Sequence, residues 1–177
     1  MSFDKLIDLF VEFIGLFQFW TYIDEYEAGV VLRFGRYNRT IGPGWRWLWP
    51  LGVERHMVEN VKPDTMMLGI QSLHTSDDYA INIQYSIQWE VFDVRAFLLD
   101  VEGGREAITD VAADHVSDFV QVNKWKDVSH PNFKKALKAP INRQIKKWGA
   151  RVLWVRQHDC SASEAKRYWH EGIEIQA

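Results

Sequence analysis

The 177-residue chain has little cysteine and no short motif that points to catalysis. Its single cysteine, Cys160, excludes an internal disulfide. A phosphate-cradling glycine loop is also missing, because Gly103-Gly104 is best explained as the start of a helix. The histidines form no cluster with the spacing of metal ligands. The sequence therefore predicts a protein that is not an enzyme and that uses no cofactor.

One pair of residues keeps a remote enzymatic alternative open, a hydrolase that uses His158 and Cys160. Strand alternation would place both side chains on one face, but two soft ligands do not complete a zinc site. A lone cysteine near a strand end is more often core filler or a surface thiol. No nucleic-acid partner is expected, because the net charge is −3 and no base-stacking motif accompanies the basic C-terminal third.

The chain also lacks an uninterrupted apolar run long enough for a standard membrane-spanning helix. Residues 4–22 come nearest, and on a helix Asp4, Asp8 and Glu12 form a narrow acidic stripe on a wide apolar surface. The start is not basic and no small-residue cleavage site follows, so this is not a signal peptide. A helix lying in the interface, a re-entrant hairpin and a helix packed inside an oligomer stay open. Membrane contact is predicted for Leu6, Leu9, Phe10, Phe13, Phe17 and Trp20.

Tryptophan is abundant, with nine in the chain. Three follow the turn Gly42-Pro43-Gly44 at a spacing of two, which on a strand projects them all from one side. Tryptophan favours the headgroup layer of a bilayer. The alternative is a large aromatic core cluster. Together with the apolar segment upstream, the pattern predicts membrane contact by Trp45, Trp47 and Trp49.

Several segments have clear hydrophobic periodicity. Residues 81–91 alternate between apolar and amide-rich polar side chains, which predicts a half-buried antiparallel strand. Residues 104–122 place their apolar positions on one side of a helix. A second helix is predicted over 132–148, where Pro140 should break or kink the pattern. With a closing strand at 152–158, these elements predict an α+β domain.

Charges of opposite sign are segregated along the chain. The first 120 residues hold 9 Lys/Arg and 19 Asp/Glu, whereas the remainder holds 12 and 5. The first helix carries an i, i+4 ladder of acids, and the second helix carries lysines. The two helices could neutralise each other within one molecule, or each could present a separate solvated face. The third interpretation is a head-to-tail contact between subunits, which closes into a ring if the rotation allows it. That interface would contain Glu106, Asp110, Asp114, Asp118, Lys134 and Lys138.

The ordered series of segments resembles the SPFH domain, also called the band 7 domain, of stomatins, prohibitins and flotillins. The resemblance extends from residue 23 to about residue 160. Its residues are EYEAGVVLRFGR at 25–36, GPGWRWLWP at 42–50, VERHMVENVK at 53–62, AINIQYSIQWEV at 80–91, DVRAFLLD at 93–100 and KKWGARVLWVRQHDC at 146–160.

The resemblance implies a fold and a division of the chain. The fold would have a β-rich membrane-proximal subdomain and antiparallel strands packed with two helices, preceded by a membrane-associated hydrophobic helix. Only 17 residues follow Cys160, so we expect a short member without the family's long C-terminal coiled coil. The implied parts are a hydrophobic segment at 1–22, the domain at 23–160 with parts 23–70 and 71–160, and a tail at 161–177.

The resemblance also implies a function. It favours a non-enzymatic, membrane-associated scaffold that assembles with itself into a ring or cage and organises membrane protein or lipid. The alternative is a regulatory adaptor that binds a membrane-anchored AAA protease or mimics host SPFH proteins. The expected partners are further copies of the chain and membrane lipid. The expected location is the inner or plasma membrane of a prokaryotic cell, with the side of the membrane left open.

Overall fold

The computed structural model describes residue 7, residues 19–130 and residues 133–164. The strands in these residues are β1 (Trp20–Ile23), β2 (Glu27–Arg33), β3 (Arg36–Ile41), β4 (Gly44–Trp47), β5 (Glu54–Asn60), β6 (Asp64–Met67), β7 (Gln71–His74), β8 (Tyr79–Val91) and β9 (Ala150–Glu164). The helices are α1 (Val94–Leu99), α2 (Gly104–Val122), α3 (Trp125–Val128) and α4 (Phe133–Ile145), which a 3₁₀ turn at Lys146–Trp148 follows. The α+β class is confirmed, with more helices than the two that the sequence suggested.

The first half of the chain forms an antiparallel sheet in which β2 lies between β3 and β5. A separate two-stranded ribbon of β1 and β4 packs on this sheet. Neighbouring residues of β2 point in opposite directions, so Val30 enters the main core and Val31 enters a small core under the ribbon. Gly29 is required where β2 meets β5, because a Cβ there would lie 2.4 Å from the carbonyl oxygen of Met57. The ribbon is thus held through a buried central strand.

A second antiparallel sheet is built around β8, which pairs with β9 along one edge and with β6 and β7 in succession along the other. The predicted alternation is confirmed, since one face of β8 is fully buried from Ile81 to Val91 and packs under α2 and α4. On the outer edge of β9, the side-chain amide of Asn142 donates to the carbonyl oxygen of Val152 and accepts from its N–H. The main core therefore lies between this sheet and the two long helices.

The first long helix follows the sequence prediction, since α2 has the predicted limits. The expected break at Pro140 is wrong, because α4 continues through Pro140 from Phe133 to Ile145. Phe133, Leu137 and Ile141 are buried along one side of α4, and their burial on both sides of the proline offsets the lost backbone hydrogen bond. The 3₁₀ turn ends at Gly149, whose φ of 71° favours glycine.

The N-terminal prediction needs one correction. Residues 4–22 were assigned to a helix, but Trp20–Ile23 form strand β1 and pair with Gly44–Trp47. Aromatic and β-branched side chains suit a strand, and cross-strand aromatic contacts stabilise it. The proposed membrane residues Leu6, Leu9, Phe10, Phe13 and Phe17 lie outside the described residues, as does the tail after residue 164. The division of the chain into 1–22, 23–160 and 161–177 stays a prediction.

Candidate membrane-binding surface

One face of the β1–β4 ribbon is aromatic and open to solvent. Trp20 lies opposite Trp47, and Tyr22 lies opposite Trp45 with ring centroids 6.0 Å apart in an edge-to-face arrangement. All four side chains are between 54% and 71% exposed. On the other face of the ribbon, Ile23 is buried in a small core with Val31 and Ile41, and Leu48 joins this core just after β4. The pairing of β1 with β4, and the packing of this ribbon on the first sheet, therefore hold an aromatic face toward solvent.

Two turns extend this aromatic face at the end of the sheet. Phe34 occupies the hairpin turn between β2 and β3 and is 77% exposed, and Leu51 in the β4–β5 loop is 65% exposed. The loops touch, because the N–H of Phe34 donates to the carbonyl oxygen of Val53 over 3.0 Å. We call the whole set the aromatic surface, and it consists of Trp20, Tyr22, Phe34, Trp45, Trp47, Trp49 and Leu51.

Both added residues have unfavourable backbone conformations. Phe34 has a φ of 51° and Leu51 has a φ of 58°, a region that L-residues other than glycine rarely adopt. Each is followed by a glycine with positive φ, Gly35 or Gly52, as a tight turn with a left-handed pair requires. Large apolar side chains that are both strained and exposed have no role in a folded core. Such outliers support the hypothesis of a functional surface.

A buried carboxylate positions the loop under the aromatic surface. The Glu54 side chain is fully buried, and it accepts hydrogen bonds from the guanidinium groups of Arg33 and Arg39 and from the backbone N–H of Trp49. Arg39 also donates to the carbonyl oxygen of Trp47 over 2.7 Å. Burial alone would raise the pKa of Glu54, but the hydrogen bonds from Arg39, Trp49 and Arg33 outweigh it and lower the pKa to about 2.

The N-terminal segment joins the domain at the aromatic surface. The N–H of Leu48 donates to the carbonyl oxygen of Phe19 over 2.7 Å, and the Phe19 ring stacks on Trp47 with centroids 5.2 Å apart. The turn Gly42-Pro43-Gly44 lies at the other end of the ribbon, where Arg46 donates to the carbonyl oxygens of Gly42 and Pro43. Phe19 therefore lies beside Trp47, away from the glycine turn.

The structure places the predicted tryptophans together and adds residues that the sequence reasoning missed. Trp45 and Trp47 lie on β4, Trp49 follows it, and all three are exposed. Tyr22 was missed because it was assigned to a helix, although its spacing of two from Trp20 was a usable signal. Phe34 was missed because a large apolar residue before a glycine gives no sequence signal for an exposed turn with positive φ. Their role in membrane contact stays a prediction. No helix in the described part of the chain is long and apolar enough to cross a bilayer.

The charged helices also present their predicted residues to solvent. The acids of the α2 ladder and the predicted α4 residues Lys134 and Lys138 are all exposed. The helices contact each other through other residues, since Phe119 and Phe133 meet edge to face and His115 bonds to Gln144 over 3.0 Å. Within residues 19–130 and 133–164, no salt bridge joins one set to the other. The interface prediction is untested for Glu106, Asp110, Asp114, Asp118, Lys134 and Lys138.

The prediction that His158 and Cys160 share a face of β9 is wrong. The register of β9 against β8 shifts beside His158, and the resulting bulge breaks the alternation. His158 bonds to the hydroxyl of Ser86 on the polar face of β8, whereas Cys160 lies opposite Ile83 and packs against the main core. The two side chains therefore cannot act together on one substrate.

The surroundings of Cys160 also disfavour a nucleophile. Burial is the main cause that raises the pKa of its thiol, so the thiol stays protonated at neutral pH. Among the residues that the structure describes, no three His, Cys, Asp or Glu side chains are placed to hold a metal ion. The geometry thus offers an exposed aromatic surface and charged helix faces, without a catalytic constellation in the described residues.

Comparison with known proteins agrees with this arrangement. The sequence model of the SPFH domain / Band 7 family matches residues 21–161. The chain belongs to this family. Its relatives include Protein HflK of Treponema pallidum, which is 24% identical over 160 residues, covering 74% of this chain and 47% of that relative. Protein HflK of Haemophilus influenzae is 29% identical over 112 residues, covering 62% and 27%.

An uncharacterized protein of Archaeoglobus fulgidus is also similar, at 23% identity over 147 residues that cover 82% of this chain and 59% of the relative. The chain spans less than half the length of the HflK relatives that it matches. Family membership therefore applies to the domain, and proteins of this family are associated with membranes.

Proposed function

We propose that the protein is a non-enzymatic scaffold that binds a membrane through the aromatic surface, assembles with itself and organises membrane protein or lipid. The observation that carries this proposal is the aromatic surface, where Trp20, Trp45 and Trp47 stand more than half exposed on one face of a ribbon. Exposed apolar patches of this kind mark membrane or protein contacts, and tryptophan is enriched at the level of lipid headgroups.

The energy available from the aromatic surface is sufficient for peripheral binding. Burying about 100 Å² of each tryptophan in the interface would contribute about 2.5 kcal/mol per side chain. Phe19 lies beside Trp47. The apolar residues that precede Phe19 in the sequence would add to the apolar area that enters the membrane. Two independent anchors of moderate strength give stable attachment where one gives only reversible contact.

Self-assembly is proposed to use the two charged helices. The α2 acids at i, i+4 spacing repel one another by a few tenths of a kcal/mol per step in an isolated helix. Their exposure without an ion pair to α4 favours a partner outside the molecule, such as the α4 lysines of the next subunit. Because the two patches differ, the contact is head to tail and forms a ring when the rotation closes.

The second candidate function is a regulatory adaptor of a membrane-anchored AAA protease. The similarity to HflK proteins favours it, because HflK proteins are known to partner with membrane proteases. A pull-down of the full chain from membranes would distinguish the two functions. Recovery of only further copies of the chain supports the scaffold, whereas a protease recovered in fixed proportion supports the adaptor.

Flotation with lipid vesicles tests membrane binding by the aromatic surface. The full chain is mixed with phosphatidylcholine vesicles and centrifuged in a density gradient. We expect it to float with the vesicles, and we expect a variant with Trp45→Ser, Trp47→Ser and Trp49→Ser to remain largely at the bottom. A matched control replaces equally exposed apolar residues elsewhere, and the variant with Met67→Ser, Ile70→Ser and Val122→Ser should float like the unchanged protein.

The outcomes separate the interpretations. A full chain that stays at the bottom of the gradient, both with phosphatidylcholine vesicles and with vesicles that also contain an anionic phospholipid, contradicts membrane binding. Equal flotation of the tryptophan variant contradicts a role for the aromatic surface and leaves attachment to the N-terminal segment. Loss of flotation in the control variant as well would show that any apolar patch suffices, which also contradicts the proposal.

A further inference from the structure

The charges of the first sheet are sorted along the length of its strands. At the end that carries the aromatic surface, Arg33 pairs in register with Arg36 and with Glu54, and Leu32 lies opposite Arg55. We call the arginines near this end the arginine collar, and it consists of Arg33, Arg36, Arg39 and Arg55.

The opposite end of the same sheet is acidic. Glu27 starts β2 and pairs in register with Asn60, and its N–H donates to the carbonyl oxygen of Asp24. Glu59 lies opposite Ala28. Four arginines therefore face one carboxylate at the aromatic end, while the acids Asp24, Glu25, Glu27 and Glu59 occupy the far end.

Two of the four arginines of the collar form salt bridges, and the other two form none with the described residues. Arg33 and Arg39 share the single negative charge of Glu54. Arg36 and Arg55 are exposed, and in the described part of the chain neither forms a salt bridge. Among the described residues, the aromatic end thus keeps an excess of positive charge that no carboxylate neutralises.

The collar surrounds the sheet end instead of covering one side of it. Arg36 and Arg39 lie opposite Arg33 and Val31, so they point to the side of the β1–β4 ribbon. Arg55 lies opposite Leu32 and points to the other side, where α1 packs. Positive charge therefore flanks the Phe34 turn on both faces of the sheet.

We propose that the arginine collar binds the phosphate groups of anionic phospholipids, so that the protein selects membranes rich in such lipid. This inference rests on the proposed membrane binding by the aromatic surface. When Phe34 enters the interface, Arg36 two residues away reaches the depth of the phosphates. Guanidinium groups match phosphate oxygens with paired hydrogen bonds. The acidic far end is then held away from the negative leaflet, which fixes the orientation of the subdomain.

The test compares vesicles of pure phosphatidylcholine with vesicles of equimolar phosphatidylcholine and phosphatidylglycerol. We expect the full chain to bind the mixed vesicles more tightly and to lose this preference in high salt, which screens the attraction. Each arginine near an anionic surface should change the affinity about five-fold. The variant with Arg36→Gln and Arg55→Gln should therefore bind the mixed vesicles about 25-fold more weakly.

The matched control removes two equally exposed cations from α4, with Lys135→Gln and Arg143→Gln. It has the same net charge as the collar variant but leaves the arginine collar intact. It should therefore keep the preference for mixed vesicles. Equal binding of the full chain to both kinds of vesicle overturns the inference and leaves the proposed function intact. Failure to bind either kind overturns both. Binding of soluble poly-aspartate that depends on Arg36 and Arg55, with no lipid preference, assigns the collar to an acidic protein and also overturns the inference.

Discussion

At the scale of single residues, Glu54 ties the aromatic surface to the sheet beneath it. Its carboxylate joins Arg33 on β2, Arg39 on β3 and the backbone of Trp49 in the loop. The same arginine that binds Glu54 also holds the carbonyl oxygen of Trp47. A single buried charge thus sets the position of two tryptophans without touching lipid itself.

Replacing Glu54 should destabilise the domain. The variant Glu54→Gln leaves two arginines without their shared partner, and we expect the free energy of unfolding at neutral pH to fall by about 3 kcal/mol. Urea denaturation measures this change. The control Glu59→Gln on the same strand removes a carboxylate that has no salt bridge in the described residues, and it should change the stability by less than about 0.5 kcal/mol.

The effect of Glu54 should also depend on pH. Its pKa is lowered in the folded state from 4.5 to about 2, so its contribution is complete above pH 4.5 and is lost as the pH falls toward about 2. The difference in stability between the unchanged protein and Glu54→Gln should therefore shrink across this window. A difference that stays constant would show that Glu54 is not held as a carboxylate by its neighbours.

Phe34 should contribute to binding at the expense of stability. Asparagine tolerates positive φ better than phenylalanine, so Phe34→Asn should raise the free energy of unfolding by about 1 kcal/mol. The same change should weaken vesicle binding about ten-fold, which corresponds to 1.4 kcal/mol. Phe34→Leu keeps both the apolar side chain and the strain, and it should change neither quantity by much. Stabilisation without loss of vesicle binding would contradict a role for Phe34 at the membrane.

At the scale of elements, the exposed charges of α2 and α4 should decide assembly. One exposed ion pair contributes about 0.2–1 kcal/mol, so a single substitution should have little effect. Reversing Asp110, Asp114 and Asp118 to lysine should break the oligomer, and mass photometry of the solubilised particle would detect the change. High salt should loosen the unchanged particle, because exposed attraction is screened within about 8–10 Å.

The matched experiment reverses both helices. When Lys134→Glu and Lys138→Glu are combined with the triple reversal, opposite charges face each other again and part of the assembly should return. A particle whose size ignores both charge reversal and molar salt would contradict a polar contact between subunits. A lower melting temperature with unchanged subunit number would instead show that the two helices interact within one molecule.

Elements with strong periodicity could be predicted from the sequence. The strand at 79–91 and the helix at 104–122 have apolar positions that one period explains, because each packs one continuous face against the core. The short helices at 94–99 and 125–128 were not distinguished, since fewer than two turns show no clear period. The predicted N-terminal helix wrongly included residues 20–22, because only their pairing with β4, which lies more than twenty residues away in sequence, makes them part of a strand.

The candidate site could be predicted in part. The spacing of Trp45, Trp47 and Trp49, together with the apolar segment upstream, predicts one shared membrane-facing side. The structure shows that all three are exposed, and their membrane contact stays a prediction. Phe34 and Leu51 could not be predicted, because they join the surface through turns whose backbone conformations depend on contacts between distant loops. The bulge at His158 likewise results from the pairing of β9 with β8 in the second sheet, where one extra residue moves a side chain to the other face.

At the scale of the whole molecule, the aromatic surface and the charged helices belong to different parts of the domain. The aromatic surface projects from the first sheet, whereas α2 and α4 pack on the second sheet around β8. Under the proposed function, binding to lipid and binding to other subunits would therefore use separate surfaces of the domain. This separation is what a membrane-bound scaffold requires, and it allows each contact to be removed without the other.

The proposed membrane binding requires that the aromatic surface enters the bilayer, and tryptophan fluorescence can measure this entry directly. Vesicles are prepared from lipid with brominated acyl chains, because bromine quenches only tryptophans that reach the hydrocarbon. A companion variant carries Trp20→Phe, Trp45→Phe, Trp47→Phe and Trp49→Phe, which keeps the surface apolar and leaves tryptophans only elsewhere in the chain.

We expect strong quenching of the unchanged protein on brominated vesicles. The phenylalanine variant should still float with the vesicles, but its remaining tryptophans, including Trp89 in the core, should be quenched little. Quenching confined to the four substituted positions would place the aromatic surface in the bilayer. Equal fractional quenching of both proteins would contradict entry of the aromatic surface into the bilayer. Bound protein with no quenching at all would contradict it as well.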